Sequence, residues 1–182
     1  MEPPDVMILI GQILGVIAVI LGFVSYQMKT AKQVLFMQCA VAAVFCAHYL
    51  FLGAISGGVL NAVCFVRNVA YSFRDKKFLS GVWVTVFFVV LMTGLGVGSW
   101  QGWPSLFVIV GLVLNTVAMR FKDPQNIRRS ILVTSPLVII YDLIVRSYGG
   151  IVYESVVIVS SIIGLIRARR SAGEETAPAE EQ

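Results

Sequence analysis

The sequence predicts an all-α integral membrane protein of seven transmembrane helices, laid out as three helices, one linker helix and three more. Three observations carry this. Of 182 residues 58% are apolar and only 13% charged, with a mean hydropathy of +0.86, whereas about a quarter of a soluble domain is charged. Of the 14 Lys and Arg residues, 12 fall in every second gap between apolar stretches. Finally, the chain aligns weakly with itself at an ungapped shift of 93 residues.

The first stretch, Val6 to Met28, is uncharged and has neither a basic leader nor a small-residue cleavage site. It therefore reads as a span and not as a signal peptide. The uncharged run from Gln33 to Val66 is too long for one crossing, and Ser56-Gly57-Gly58 is the expected break, giving helices near Val34 to Leu52 and Gly58 to Phe73. The run from Phe78 to Met119 breaks at the cluster Gly94, Gly96, Gly98, Ser99, Gly102 and Pro104. A fourth helix then covers about Leu79 to Val97 and a fifth about Ser105 to Met119. The last two run near Ser130 to Val145 and Ile151 to Ile166, separated by Ser147-Tyr148-Gly149-Gly150. Trp100, Trp103, Tyr148 and Tyr153 mark an aromatic belt at the outer boundary.

Lys29 and Lys32, then Arg74, Lys76 and Lys77, then Arg120, Lys122, Arg128 and Arg129, and finally Arg167, Arg169 and Arg170 occupy the alternate gaps. Translocating positive charge is disfavoured, so these gaps face the cytoplasm. The N-terminus, with Glu2 and Asp5, is then outside and the C-terminus cytoplasmic. Arg67, within a stretch, and Arg146 are the exceptions.

At the shift of 93 residues, Leu21 falls on Leu114, Lys29 on Lys122, Gly57 on Gly150, Val59 on Val152, Val63 on Val156 and Arg74 on Arg167. The linker helix adds one crossing, so both triplets share one orientation, which makes this a parallel repeat. The units are a first repeat over 1–77, the linker helix and outer loop over 78–103, a second repeat over 104–170, and a tail over 171–182. That tail is rich in Glu and Ala with nothing to bury, and is expected to be disordered in the cytoplasm.

Several function classes fall away. The basic residues sit in short gaps beside the membrane and not on one soluble face, so they suit orientation and anionic lipid better than nucleic acid. Cys39, Cys46 and Cys64 lie within apolar stretches without metal-ligand spacing, so neither disulfides nor a metal site is expected. One His, no HExxH, no Gly-x-Ser-x-Gly and no nucleophile-base pair argue against an enzyme, and no cofactor is implied. Gly94-Leu-Gly-Val-Gly98 lacks the strand-to-helix context of a nucleotide loop and reads as a helix end. Gly11, Gly15, Ala18 and Gly22 form a small-residue stripe suited to close packing within the subunit.

Polar groups in hydrocarbon are costly and normally face the bundle interior. At 1.5 Å per residue, His48, Asn61, Asp142 and Glu154 lie roughly 6 to 8 Å inside the outer helix ends, and Arg67 and Asn115 about 14 to 17 Å deep, near the midplane. The repeat places Asn61 on Glu154 and His48 on Tyr141, next to Asp142. These six residues are the candidate solute site. Asn61 and Glu154 would face each other, Arg67 would form a positive floor, and Asp142, Glu154 or His48 could exchange protons. The structural alternative pairs Arg67 with Glu154 or Asp142, pairs Asp142 with Arg146, and ties His48 to a backbone carbonyl. Asn68, about 100° around the helix from Arg67, is expected outside the cavity.

The segment Gly22-Phe-Val-Ser-Tyr-Gln-Met-Lys-Thr30, followed by His48-Tyr49, Gly57-Gly58, Asn61 and Arg67-Asn68, resembles the YgjV family of bacterial inner-membrane proteins over nearly the whole chain. More distantly, the three-one-three plan is similar to the PQ-loop group of SWEET and SemiSWEET transporters. Where that group would carry Pro-Gln, this chain has Tyr26-Gln27 and, in the second half, Met119-Arg120; its Pro124-Gln125 is read as part of the following loop. The resemblance implies a multi-pass protein of the bacterial inner membrane. The expected function is transport or facilitation of a small polar or anionic solute through a cavity between the two three-helix bundles, with protons as a possible second substrate. The alternative is a non-transporting receptor, assembly or regulatory protein. With two triplets already in one chain, the expected state is a monomer or homodimer in the lipid bilayer.

Overall fold

An apolar chain can hide its backbone amides from hydrocarbon only by pairing them within helices or closed barrels, and the continuous apolar runs here satisfy that requirement with helices. The computed structural model describes residues 4–26, 31–73, 76, 78–120 and 124–176. Among these it has seven helices and no strand: α1 (Asp5–Tyr26), α2 (Ala31–Phe51), α3 (Ile55–Ser72), α4 (Val82–Gly98), α5 (Pro104–Ala118), α6 (Pro124–Ile144) and α7 (Tyr148–Thr176). The helices α1 and α7 are each long and apolar enough to cross a membrane, and shorter apolar helices span Leu35–Phe51, Val82–Gly98 and Pro104–Ala118. The basic positions Lys29, Arg74, Lys77 and Lys122 lie outside the described residues.

Four expected boundaries move. The break near Ser56-Gly57-Gly58 is instead a turn at Leu52–Ala54, where Gly53 adopts φ 72°, a left-handed conformation that costs glycine little. Before α7 the turn falls on Val145 and Arg146, and Arg146 takes φ 56°. Both glycine pairs thus lie inside helices, where they serve packing and not reversal. Pro124-Gln125 opens α6 and is not loop, as proline fits a helix's first turn. Finally, α7 continues to Thr176, through the start of the tail expected to be disordered; residues 177–182 lie outside the described residues.

Six helices close a ring in the order α1, α2, α3, α5, α6, α7, with α7 returning to α1, while α4 packs outside on α3 and α5. Consecutive helices are antiparallel. By contrast, α3 and α5 run parallel, with Ser56 beside Ser105 and Arg67 beside Thr116. So do α1 and α7, where Gly15 meets Gly149 and Gly22 meets Tyr153. A Cβ on Gly149 would come within 2.5 Å of the Gly15 Cα, so this crossing exists only because both residues lack side chains. The small-residue stripe is therefore spent within the subunit: Gly11 packs on Leu52 and Phe51, and Ala18 is fully buried.

The distribution of polarity is inverted relative to a soluble protein. Val16, Phe23, Phe65, Val90, Leu106, Val133 and Val159 are among many large apolar side chains turned outward, whereas His48, Asp142, Ser147, Arg67 and Thr116 are buried. Such an exterior suits a lipid solvent. Trp100, Trp103 and Tyr148 are exposed, as a belt requires, but Tyr153 turns inward against Phe45.

Candidate functional site

A cavity of about 580 Å³ occupies the middle of the ring, lined by side chains of α2, α3, α5, α6 and α7. That volume falls within the range of small-molecule sites. Its α3 wall is written in helical spacing: Asn61, Cys64, Arg67, Asn68 and Tyr71 all line it. Phe45, Val108, Val138 and Val157 supply apolar wall, and Glu154 lines the cavity from α7.

At the deep level, Arg67 is only 4% exposed. Its Nη1 donates to Thr116 Oγ1 at 2.6 Å and to Asn115 Oδ1 at 3.4 Å, while Nε and Nη2 donate to Asn68 Oδ1 at 3.2 and 3.0 Å. All of these acceptors are neutral. Among the described residues no carboxylate pairs with Arg67, so the expected ion pair with Glu154 or Asp142 is not formed. Asn68, in turn, lines the cavity beside Arg67, against the expectation from helical angle. The long arginine side chain folds back across its own helix to reach Asn68, and Asn68 is held by donating Nδ2 to the Gln38 carbonyl at 3.3 Å.

At the other level, Asn61 donates to the Gly57 carbonyl at 2.9 Å and Glu154 lies beside the Ser135 hydroxyl. Both remain partly accessible from the cavity. Asp142 and His48 lie behind this wall and not on it. Tyr49, which does line the cavity, donates its hydroxyl to Asp142 Oδ1 at 2.7 Å. His48 Nδ1 faces the Gly11 carbonyl at 2.6 Å and Nε2 faces Ser147 Oγ at 2.7 Å. A carbonyl only accepts, so Nδ1 carries hydrogen, and a neutral imidazole then accepts the Ser147 hydroxyl at Nε2. That leaves Asp142 Oδ2 buried with no hydrogen-bond partner, the Ser147 hydroxyl being nearby but outside bonding geometry. The expected tie of His48 to a backbone carbonyl is present. The expected Asp142–Arg146 pair is not, since Arg146 sits in the left-handed turn, exposed, its carbonyl accepting from Gln12 Nε2 at 2.7 Å.

Tyr49 and Asp142 are 93 residues apart, the same interval at which the sequence aligns with itself. The same shift relates two neighbouring contacts, carrying Gly57 to Gly150 and His48 to Tyr141. The Gly57 amide donates to the Tyr141 hydroxyl at 2.9 Å. At the equivalent position, the Gly150 amide donates to Ser147 Oγ at 3.2 Å, and that oxygen is held by His48. Where Gly57 meets a tyrosine hydroxyl, Gly150 meets a shorter imidazole extended by a serine. Sequence reasoning had missed Tyr49, Ser147 and Thr116, which are ordinary helix residues by type; the repeat shift, applied to Asp142, points to Tyr49.

The two ends of the cavity differ. Tyr49, Tyr141, Asp142, His48, Ser147, Gly57 and Gly150 are all buried, closing the end beside the Gly53 and Arg146 turns. At the opposite end Leu35, Gln38, Met119, Arg128 and Ile131 are only half-buried. Arg128 reaches across α7 there, donating to the Gly164 carbonyl at 3.2 Å.

Residues 9–172 match the family model Imp-YgjV, described as bacterial inner membrane protein. The chain belongs to that family. Its apolar exterior is accordingly a surface for the bilayer of the bacterial inner membrane. No match was found among curated proteins or among solved structures. Membership of Imp-YgjV thus establishes compartment and helical membrane character, and the chemistry of the cavity has to be read from its own residues.

Proposed function

We propose that this protein transports or facilitates passage of a small polar or anionic solute through the central cavity. In this reading residues 1–77 and 104–170 are parallel three-helix repeats joined by the linker of 78–103, in a SWEET-like arrangement with the basic gaps cytoplasmic and the N-terminus outside. One observation supports it: a partly polar cavity within the helix ring is stopped at one end by residues that the 93-residue shift makes equivalent, Tyr49 with Asp142 and Gly57–Tyr141 with Gly150–Ser147–His48. Residues that are equivalent and also touch sit where a two-fold axis would pass. The ring order supports the same reading, because exchanging triplets turns the α1–α7 seam into the α5–α3 seam.

A cavity shut at the outer end and half-open at the basic end has the form of a cytoplasm-facing state. Breaking the Tyr49–Asp142 bond while closing around Gln38 and Arg128 would present the same site to the other side. Asn61, Arg67, Asn115 and Glu154 act as solute contacts, joined by Asn68. Asp142 and His48 act in the gate.

The test is uptake of labelled solutes by purified protein in liposomes. Saturable flux lost on closing the gate with a Tyr49→Cys, Asp142→Cys crosslink would support transport. A broad panel giving no flux, with a stoichiometric protein partner copurifying, would favour the receptor or assembly role.

A further inference from the structure

The cavity carries two guanidinium groups, Arg67 and Arg128, against the single carboxylate of Glu154. Arg67 is the more constrained, being almost fully buried with, among the described residues, only neutral acceptors bonded to it. A charge removed from water without a countercharge is unfavourable, and a protein that needed only packing there would be served by a neutral side chain. Of the five guanidinium N–H groups, four are directed to Asn68, Thr116 and Asn115, and one on Nη2 is unspent. The neutral partners fix the orientation of the group and leave its charge uncompensated.

The opposite level has the reverse character. Asn61 spends one of its two amide N–H groups on Gly57 and has its carbonyl oxygen as acceptor, and Glu154 is also an acceptor. From Asn61 to Arg67 the helix rises about 9 Å. We infer that the cavity binds a small organic carboxylate whose anionic end supplies the missing countercharge of Arg67 and whose other end offers a hydroxyl or ammonium donor to Asn61 and Glu154. The apolar walls strengthen the charge interaction by excluding water. This names the substrate class of the proposed transport site and rests on that reading for its place in a transport cycle, but not for binding itself.

The experiment uses full-length protein in phosphatidylcholine nanodiscs, titrated at constant ionic strength with ω-hydroxy and ω-amino carboxylates of three to six carbons, and with the matching neutral diols. At roughly ten times Kd, a carboxylate should raise Tm by about 3–6 °C, saturably, while the diols do not. Arg67→Gln should abolish the shift. Glu154→Gln should keep the response to simple carboxylates and remove the preference for those with a donor. The wild-type titration decides the matter even if Arg67→Gln does not fold: no saturable shift with any carboxylate, or an equal shift with the diols, overturns the proposal. An Arg67-dependent shift produced by phosphatidylglycerol and by no carboxylate would also overturn it, assigning the charge to a lipid headgroup. Flux measurements separate the two claims. Carboxylate binding without flux leaves the site and removes transport, and flux of a neutral solute indifferent to Arg67→Gln leaves transport and removes the carboxylate.

Discussion

The Tyr49 hydroxyl donates to Asp142 Oδ1 at 2.7 Å across the central ring, joining α2 to α6 at positions 93 residues apart. Both side chains are buried, and the second oxygen of the carboxyl has no partner. The contact is one of three buried polar bonds at the closed end, with Gly57 to Tyr141 and His48 to Ser147.

Tyr49→Phe should lower stability by about 0.5–2 kcal/mol, the range for a hydrogen bond within a membrane bundle. Asp142→Asn alone should cost a similar amount. In the double variant the losses should not add, leaving a coupling that a double-mutant cycle on thermal unfolding would read. Full additivity would mean that the two groups do not act as a pair.

The near-symmetry of Tyr141 and His48–Ser147 leads to a repair experiment. His48→Tyr alone should crowd Ser147, and Ser147→Ala alone should strip His48 Nε2 and the Gly150 amide of their partner, each costing about 1–3 kcal/mol. Combined, they let a phenol occupy the place of imidazole plus hydroxyl, as Tyr141 already does for Gly57. The double variant should have a higher Tm than either single one.

Gly149→Ala should be severely destabilising, about 2 kcal/mol or more, because its new methyl meets the Gly15 backbone, which cannot move aside as a side chain could. At Gly94 nothing lies within 4 Å, so Gly94→Ala should be neutral or raise Tm slightly through helix propensity. Equal effects at both sites would contradict the tight α1–α7 crossing.

Cysteine labelling tests which end of the cavity is open. In a background lacking the native cysteines, Gln38→Cys and Ile131→Cys should react with a membrane-impermeant maleimide in inside-out vesicles. Ser147→Cys, from a fully buried position, should be at least tenfold slower in vesicles of either orientation. Preferential labelling of Ser147→Cys from outside would reverse the assignment of the closed end.

Much of this fold was legible because hydrocarbon imposes coarse rules. Helix number followed from run length and charge gaps. What failed was local: Gly57-Gly58 and Gly149-Gly150 look like turns in sequence, yet they are helical glycines that admit Tyr49, Tyr141, Leu50 and Gly15. Sequence cannot separate a glycine that bends the chain from one that makes room. The same limit applied to Asn68, since helical angle describes Cβ directions and ignores how far a guanidinium can fold back. Asn61, Arg67, Asn115 and Glu154 stand out in sequence as polar residues within apolar runs, and all four line the cavity. Tyr49 and Ser147 were not, because nothing in their type distinguishes them; only the repeat does.

The two parallel helix pairs of the ring are fastened differently. Along α3 and α5 the Ser56–Ser105 bond lies near one end and the Arg67–Thr116 bond eleven residues further down each helix. Beside α1 and α7 the polar bonds, Gln12 to the Arg146 carbonyl and His48 to the Gly11 carbonyl and to Ser147, cluster at the turn end, and further along Gly15 lies against Gly149 and Gly22 against Tyr153. Bonds at two heights fix how far α3 can slide along α5, whereas α1 and α7, bonded at one height, rely further along on close packing at glycine, so added bulk there would loosen the pair without breaking a hydrogen bond.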